Sequence, residues 1–370
     1  MKTVEDMLAL VKAADKEAIK ACEKRQNSLV KPPGSLGRLE SLSIRLAGIT
    51  GKVHNEIKDT ELLVFCADNG VYEEGVASTP QIVTLQQTVN LTRGLTGAAV
   101  LAKNGGTRLT VVDVGVKGTI RESRVLNRKI AEGTANIVQG PAMSRDQVEE
   151  ALRIGFDLAF ASTADAIGIG EMGIANTTTS SAVLSCLLSL DPKLVTGRGA
   201  GLGDRAFSHK IEVIRRALAV NQPDSKNPLE VLQKVGGLDL AAMCGAFLGA
   251  AAARKPVVID GLISAVAALC AYRCKPDVVD YLIPSHASYE IGYKKAMEAM
   301  GLTPFLFLDM RLGEGSGCCL VFPILQAACA IINEMATFEE SSVSDRYIEE
   351  LDLRKKEKFR VDLSREEEDD

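Results

Sequence analysis

Residues 304–320, PFLFLDMRLGEGSGCCL, place a glycine-rich turn between two apolar segments. The first segment, residues 305–308, predicts a short buried strand, and the second predicts a helix. Between them stands one carboxylate, Glu314, flanked by Gly313 and Gly315. A strand, a glycine turn and a helix in this order put polar residues at the C-terminal edge of a parallel sheet, where open α/β proteins bind ligands. This stretch therefore predicts an α/β fold with a parallel sheet.

The chemistry of Glu314 has two interpretations at this point. A carboxylate held in apolar surroundings is suited to transferring a proton to or from a ligand. A glutamate in a solvated surface loop agrees equally well with the same sequence. The turn by itself does not decide between these interpretations, so the rest of the chain has to.

Apolar strands and helical stretches alternate through most of the chain. The clearest strand, LLVFCAD at residues 62–68, is apolar without interruption until it ends in an acidic turn, which is typical of a strand buried in a parallel sheet. The alternation predicts a mostly parallel sheet covered by helices. The predicted strands cover residues 62–68, 109–115, 164–170, 256–260, 282–286 and 305–308.

The composition is that of a globular enzyme rather than of a nucleic-acid binder. The 370 residues are 46% hydrophobic and 4% aromatic, with no Trp and 32 Gly. Recognition of nucleic acid needs exposed aromatic side chains beside basic patches, and a net charge of −5 offers no general attraction for a polyphosphate backbone. We therefore expect small-molecule substrates and no nucleic-acid partner.

The cysteines, the histidines and the terminal segments indicate a cytoplasmic protein. Nine cysteines lie mostly in apolar runs without a CxxC pair, and the three histidines are far from metal-ligand spacing. Buried free thiols in a reducing compartment and no metal site are expected. No signal-peptide core and no run of about 18 apolar residues is present, which argues against a membrane partner. The charged tail, residues 339–370, allows a surface helix near Tyr347 and Leu351.

A second glycine-rich segment, GIGEMGIANTTT at residues 168–179, precedes a predicted helix at residues 180–190. Glycines let the backbone approach an anion, and N–H groups at a helix start bind phosphate together with threonine hydroxyls. The segment also matches G-x-G-x-x-G, which keeps a nicotinamide-dependent oxidoreductase as an alternative. However, the acidic residue of that pattern is matched only by Asp191, at a helix end before a proline. Glu171 would also repel a pyrophosphate, so a mononucleotide with one phosphate is favoured.

A third glycine cluster, residues 196–203, precedes a predicted helix that carries Lys210. A cation beside a phosphate loop is a natural partner for the phosphate, although a solvated surface position explains Lys210 equally well. The usual sugar-diphosphate signature, two adjacent acidic residues after a strand, is missing because Asp113 and Asp260 each stand alone. A magnesium-dependent enzyme of that kind is therefore disfavoured.

Six motifs, taken together and in this order, closely resemble the nicotinate mononucleotide:dimethylbenzimidazole phosphoribosyltransferase family of the cobalamin lower-ligand pathway. The resemblance covers residues 31–335, and the length and order of the motifs make it specific. The motifs are KPPGSLGRLE (31–40), CADNGVYEEGV (66–76), GIGEMGIANTTT (168–179), VGGLDLAAMCG (235–245), LIPSHASYEIG (282–292) and MRLGEGSG (310–317).

The resemblance implies a fold, an assembly and a reaction. It implies a Rossmann-like α/β catalytic domain at residues 51–334 and a small helical domain formed by residues 1–50 and 335–370. It also implies a homodimer with its active sites near the subunit interface. The family transfers phosphoribose from nicotinate mononucleotide to 5,6-dimethylbenzimidazole or a related base, which yields α-ribazole 5′-phosphate and nicotinate. No cofactor and no metal are expected, because the pyridinium of the nucleotide is already a good leaving group.

The resemblance also implies roles for single residues. Glu314 would be the general base that takes the benzimidazole proton, and Glu171 would lie beside the ribose and its developing positive charge. The remaining predicted residues hold substrate: Gly173, Asn176, Thr177 and Lys210 for the 5′-phosphate or ribose, and Thr79, Gln87 and Leu312 for the base.

Two positions differ from the family pattern. Thr79 stands where the family has serine, and Asn69 stands where the turn after the first strand often has histidine. These differences concern the choice of base more than activity itself. Besides the oxidoreductase, a protein that binds the ribotide without catalysis stays an alternative.

Overall fold

The computed structural model describes residues 3–199 and 201–344 of the chain. These residues contain one six-stranded sheet covered by helices. The predicted surface helix near Tyr347 and Leu351 lies outside the described residues. The strands are β1 (Thr60–Ala67), β2 (Arg108–Gly115), β3 (Val125–Asn127), β4 (Ala166–Met172), β5 (Val257–Ile259) and β6 (Leu282–Pro284).

The strand order is β3-β2-β1-β4-β5-β6, and each neighbouring pair is parallel. The chain first moves outward from β1 to β3 and then crosses back to place β4 on the other side of β1. This reversal creates a topological switch point, and ligands of open α/β sheets bind at the carboxyl ends of the strands there. The predicted α/β class with a Rossmann-like parallel sheet is confirmed.

The central strand β1 is apolar because both of its faces are covered. All of its residues are buried. Val64 pairs with Val111 of β2 on one side and with Gly170 of β4 on the other. A strand in this position has no solvated face, so its sequence shows no alternation. The uninterrupted apolar run at residues 62–68 is therefore a reliable signal.

The helices lie on both faces of the sheet and at the two ends of the chain. They are α1 (Val4–Leu10), α2 (Lys16–Ser28), α3 (Arg38–Thr50), α4 (Val83–Thr92), α5 (Gly97–Asn104), α6 (Arg145–Ala161), α7 (Asn176–Leu188), α8 (Asp204–Asn221), α9 (Pro228–Val235), α10 (Leu238–Ala252), α11 (Leu262–Cys274), α12 (Ile291–Met300), α13 (Ser316–Glu334) and α14 (Phe338–Ser341).

Helices α6 and α10 approach each other closely because three glycines remove side chains from their contact. A Cβ atom on Gly155 would lie 1.8 Å from the carbonyl oxygen of Ala242, and one on Gly245 would lie 1.9 Å from that of Leu152. Gly249 makes the same kind of contact with Phe156. The buried helix α10 is thereby fixed under the sheet, and Asp239 in its first turn is fixed with it.

The two ends of the described chain meet beside the sheet. The N–H of Val30 donates to the carbonyl oxygen of Ala336 at 2.9 Å. Helices α2 and α3 share a small apolar cluster with the end of α13, and this cluster includes Cys22, Leu29 and Ile332. The division at residues 50/51 and 334/335 stays a prediction.

The predicted buried strand at residues 305–308 is wrong. Only one bridge forms there, between Leu306 and His286, and the side chains of Phe307 and Leu308 are 61% and 51% exposed among the described residues. Ala287 donates its N–H to the carbonyl oxygen of Leu306, but the segment then leaves the sheet edge. An apolar run of four residues does not tell a buried strand from an exposed apolar segment.

Helix α13 is, among the described helices, the one that is long and apolar enough to span a membrane. It packs against the sheet and α5, and 56% of its apolar window is buried inside the protein. The core helix of a globular protein has the same properties.

Candidate active site

A cleft at the carboxyl ends of β4, β5 and β6 is lined by all nine residues predicted from the sequence. Its volume is about 290 Å³, close to the lower end of the range for ligand sites. The sequence-based interpretation of Glu314 as a solvated surface residue is wrong, since its side chain is 5% exposed. The residues are Thr79, Gln87, Glu171, Gly173, Asn176, Thr177, Lys210, Leu312 and Glu314.

Glu314 sits in a turn of unusual backbone conformation. Gly313, Glu314 and Gly315 have φ angles of 87°, 62° and 84°. A non-glycine residue in the left-handed region stores strain, which the surrounding structure has to balance. The turn directs the carboxylate to the start of α5, where the N–H of Ala98 donates to Oε2 at 3.2 Å.

Glycines of β4 make room for this turn. A Cβ atom on Gly170 would lie 2.5 Å from the backbone nitrogen of Gly315, and one on Gly168 would lie 2.6 Å from Cβ of Cys318. Both glycines are inside the strand rather than in a loop before a helix. The interpretation of residues 168–173 as a dinucleotide-binding loop is therefore wrong, because these glycines serve packing.

Asp260, directly after β5, binds the same turn from the other side. Its Oδ2 accepts the N–H of Gly315 at 3.0 Å, and its Oδ1 accepts the N–H of Gly317 at 2.7 Å. Burial raises the pKa of Asp260 to about 7, against the lowering effect of these backbone N–H groups. His286, which also lines the cleft, has its Nδ1 3.9 Å from Oδ1 of Asp260. Burial lowers the pKa of His286 to about 4, so this ring is neutral.

Glu171 and Asp239 share one amide donor. The side-chain Nδ2 of Asn176 donates to Oε2 of Glu171 and, at 3.3 Å, to Oδ2 of Asp239. Burial, and next the charge of Asp239, raises the pKa of Glu171 to about 8. Burial also raises the pKa of Asp239. At neutral pH this pair therefore retains a proton, and a cation in the cleft would favour its release.

The opposite end of the cleft is suited to an anion. Lys210 on α8 is fully buried, and its Nζ donates to Oγ1 of Thr177 at 2.8 Å and to the carbonyl oxygen of Gly197 at 3.3 Å. Burial lowers the pKa of Lys210 to about 8. Helix α7 begins at Asn176, earlier than the predicted residue 180, and its N-cap Ala175 supplies no side-chain hydrogen bond in the described chain. The start of α7 lies at this end of the cleft, since Thr177 in its first turn accepts the bond from Lys210.

A more apolar part of the cleft contains the three residues predicted to contact the base. Gln87 lies on α4, where its Oε1 accepts from Nδ2 of Asn90 at 2.8 Å. Leu312 is 58% exposed and packs on Gly97, at the start of α5. Thr79 lies in the loop before α4. These residues surround the space in front of Glu314.

Three ionisable residues of this region have no role predicted from the sequence. Asp239, Asp260 and His286 lie within the motifs or predicted strands, but a single acidic or imidazole side chain at a strand end carries little information alone. The available signal was the position of Asp260 at the end of a predicted strand, which is where parallel sheets place functional side chains.

Comparisons with known proteins show which family this chain is similar to. The family model DBI_PRT, described as phosphoribosyltransferase, matches residues 11–343. A relative from Alkaliphilus metalliredigens (strain QYMF), named nicotinate-nucleotide–dimethylbenzimidazole phosphoribosyltransferase, is 47% identical over 93% of this chain and 100% of its own. A relative of the same name from Ruminiclostridium cellulolyticum is 47% identical over 92% of this chain and 98% of its own.

The same likeness holds in three dimensions. The crystal structure of nicotinate-nucleotide–dimethylbenzimidazole phosphoribosyltransferase from Thermus thermophilus superposes with a TM-score of 0.85 at 40% sequence identity. The match covers 89% of this chain and 99% of that one. Both the sequence and the fold therefore place the chain in one family. The chain belongs to the nicotinate-nucleotide–dimethylbenzimidazole phosphoribosyltransferase family.

Proposed function

We propose that this chain transfers phosphoribose from nicotinate mononucleotide to 5,6-dimethylbenzimidazole or a related base. The products are α-ribazole 5′-phosphate and nicotinate, as in assembly of the cobalamin nucleotide loop. The observation that carries the proposal is that one cleft combines the carboxyl groups of Glu314 and Glu171 with a buried cation at Lys210. Asp239 is buried beside the cleft and shares the Asn176 amide with Glu171. The relatives that bear this enzyme name support the reaction.

The proposed chemistry begins at Glu314. Its carboxylate takes the N–H proton of the benzimidazole while the other ring nitrogen attacks C1 of the ribose. A new C1–N bond forms as the bond between C1 and the pyridinium nitrogen breaks. The electron pair of that bond neutralises the pyridinium, and nicotinate leaves. The turn that holds Glu314 brings base and ribose together, which lowers the entropic part of the barrier.

Glu171 supports the ribose during this transfer. Before substrate binds, its raised pKa keeps it protonated at neutral pH. The positive pyridinium and the oxocarbenium character of the transferred ribose favour its ionised form. The ionised Glu171 therefore stabilises the developing positive charge on the ribose. It does not transfer a proton to or from the substrates.

Two further sets of residues bind the nucleotide and the acceptor base. Lys210, Thr177, Asn176 and the backbone at Gly173 bind the 5′-phosphate and ribose, at the start of α7. Thr79, Gln87 and Leu312 surround the acceptor base, where an added or missing methyl group changes the binding free energy by about 1–3 kcal/mol. Related bases should therefore be accepted at reduced rates.

The assembly, domain division and location are part of the proposal. The chain is a cytoplasmic enzyme that forms a homodimer. Each subunit has a catalytic domain at residues 51–334 and a helical domain formed by residues 1–50 and 335–370. Several large apolar side chains are exposed, and Leu312 among them lines the cleft, which supports a second copy as the partner. They are Ile82, Leu95, Val100, Tyr289, Phe307, Leu308 and Leu312.

The test is an assay of nicotinate release by chromatography. Purified protein is mixed with nicotinate mononucleotide and a panel of bases, including dimethylbenzimidazole. We expect base-dependent release, and a decrease of at least about 100-fold with Glu314→Gln. Binding of the mononucleotide without release for any base would leave a ribotide-binding protein as the correct description.

A further inference from the structure

We propose that Asp260 is a positioning residue that holds the turn of Glu314 in its active conformation. This inference rests on the proposed function, since it assigns a partner to the general base of that reaction. The Asp260 carboxylate acts on the backbone of the turn, and through it on the direction of the Glu314 side chain.

The first observation is the pair of hydrogen bonds from the turn. The two oxygens of Asp260 accept the N–H groups of Gly315 and Gly317 at 3.0 and 2.7 Å. Asp260 is 2% exposed, so water does not compete for these bonds. Hydrogen bonds to an ionised buried carboxylate are about twice as strong as those between neutral groups.

The second observation is that the turn needs an external partner. Helix α13 begins at Ser316, and its N-cap Gly315 has no side-chain capping bond within the described chain. Ser316 and Cys318 donate their N–H groups to the carbonyl oxygens of Gly313 and Gly315, whereas the N–H groups of Gly315 and Gly317 bind Asp260, which comes 55 residues before Gly315 in the sequence. The left-handed φ of 62° at Glu314 also requires a counteracting restraint next to it.

The third observation is that Asp260 itself is held rigidly. Its N–H donates to Oγ of Ser264 at 3.1 Å, and that hydroxyl donates to the carbonyl oxygen of Ile169 in β4 at 2.9 Å. The hydroxyl of Ser285 donates to the carbonyl oxygen of Asp260 at 3.4 Å. The backbone of Asp260 is therefore tied to its surroundings through both its N–H and its carbonyl oxygen, and the turn is tied to its carboxylate.

The substitution Asp260→Asn tests this arrangement with little change in shape. One oxygen is replaced by an NH₂ group, so one backbone N–H of the turn would face a donor instead of an acceptor. We expect kcat to fall about 10- to 100-fold, in the range for loss of a supporting hydrogen bond. The KM for nicotinate mononucleotide should change less than about threefold, because Lys210 and Thr177 bind the other end of the nucleotide.

Asp113→Asn is a matched control. Asp113 is also buried at the end of a strand, and its Oδ1 accepts two backbone N–H groups, from Gly115 at 3.1 Å and Val116 at 2.8 Å. It is not among the cleft-lining residues. This substitution should lower the melting temperature as Asp260→Asn does, but it should leave kcat unchanged. Equal loss of kcat in both variants would reduce Asp260 to a general structural role and overturn the proposal.

A double-mutant cycle with Glu314→Gln separates positioning from direct catalysis. If Asp260 acts through Glu314, then the double variant should be no more than about threefold slower than Glu314→Gln alone. Losses that multiply would mean that Asp260 acts on the substrates independently, which contradicts the proposal.

Hydrogen exchange of the wild-type chain supplies a test that needs no variant. The amides of Gly315 and Gly317 should exchange at least about 100-fold more slowly than free amides, although amides at a helix start usually lack a partner. Free exchange at both positions would overturn the proposal even if the assay showed full transferase activity. Protected amides without nicotinate release would instead contradict the proposed function and leave the Asp260 contacts in place.

Discussion

At the scale of single residues, the cleft region is characterised by ionisable side chains that are buried in the absence of substrate. Glu171, Asp239 and Asp260 are carboxyl groups whose pKa values burial raises, while burial lowers the pKa of Lys210 and His286. Such shifts in both directions are typical of functional sites, where ligand binding replaces the missing solvation. They also lead to two predictions about pH.

The first prediction concerns Glu171 and stability. Its pKa in the folded protein is about 8, above the ordinary value of 4.5, so the folded state binds the proton more tightly than the unfolded state. This contribution to stability is complete below about pH 4 and decreases as the pH rises to about 8. The free energy of unfolding of the wild type should therefore fall relative to Glu171→Gln between pH 5 and pH 8, by up to about 4 kcal/mol.

Urea unfolding of both proteins at several pH values measures this difference. Comparison with Glu171→Gln removes the contributions of the other titrating groups, including His286, to a first approximation. A difference in unfolding free energy that is constant from pH 5 to pH 8 would show that Glu171 is not protonated in the folded chain.

The second prediction concerns Lys210 and the nucleotide. Because its pKa is lowered to about 8, Lys210 loses its charge as the pH rises beyond that value. The KM for nicotinate mononucleotide should therefore increase above about pH 8 in the wild type. Lys210→Met should raise this KM about 10- to 100-fold at neutral pH, the range for a hydrogen bond to a charged group, and should flatten its rise with pH. A wild-type KM that does not depend on pH between about 7 and 9.5 would remove Lys210 from the phosphate site.

At the scale of elements, the site depends on contacts that only small residues permit. The strand β4 touches the turn of residues 313–315 through Gly170, and α10 touches α6 through Gly245. In each case the glycine is needed because backbone atoms occupy the place of a side chain. Gly168 and Gly170 matched part of a nucleotide-binding pattern by sequence, but their positions inside β4 give them this packing role.

The prediction at this scale is made for Gly170→Ala. The new Cβ would lie 2.5–2.6 Å from backbone atoms of Gly315 and Glu314, so the turn would have to move. We expect a loss of stability of about 1–3 kcal/mol and a decrease of kcat of at least about tenfold. Gly140→Ala is the control, since a Cβ atom added there would have no atom of the described residues within 4 Å and its φ is not left-handed. Thermal unfolding and the nicotinate assay measure both effects, and a fully active Gly170→Ala variant would contradict them.

At the scale of the whole molecule, the exposed apolar side chains are the residues that we propose a second copy of the chain covers. Leu95 and Phe307 are 68% and 61% exposed in the described chain, and the proposed second copy would cover them. Leu312 borders the cleft and is itself 58% exposed, so a second copy seated there would also lie near the acceptor base.

The prediction at this scale is that Phe307→Asp weakens the homodimer. A charge buried in an apolar interface is strongly unfavourable, so light scattering should shift from about twice 39.5 kDa toward 39.5 kDa. Val220→Asp, at a residue that is 54% exposed on α8 outside the cleft lining, should leave the mass unchanged. A wild-type protein that is monomeric at micromolar concentration would contradict the proposed assembly.

The sequence by itself determined the class of the fold and the family. The strand prediction at residues 62–68 depends on burial of both faces of β1, and a sequence records that burial directly as an uninterrupted apolar run. Motifs such as MRLGEGSG identify the family, because their residues and their order along the chain are rare in combination. Local patterns also predicted helices α7, α8 and α13, since an apolar stripe repeats within a few residues.

Only the tertiary structure decided which side chains act together. Ala98 and Glu314 are 216 residues apart, and Asp260 and Gly315 are 55 apart, yet each pair is joined by a hydrogen bond. The exposure of Phe307 and Leu308 and the packing role of the β4 glycines likewise depend on which residues from distant parts of the chain lie next to them. The periodicity of a sequence predicts only the type of helix or strand that a residue belongs to and the face on which it lies. Contacts between elements, and the burial and pKa shifts that they cause, are known only from the folded chain.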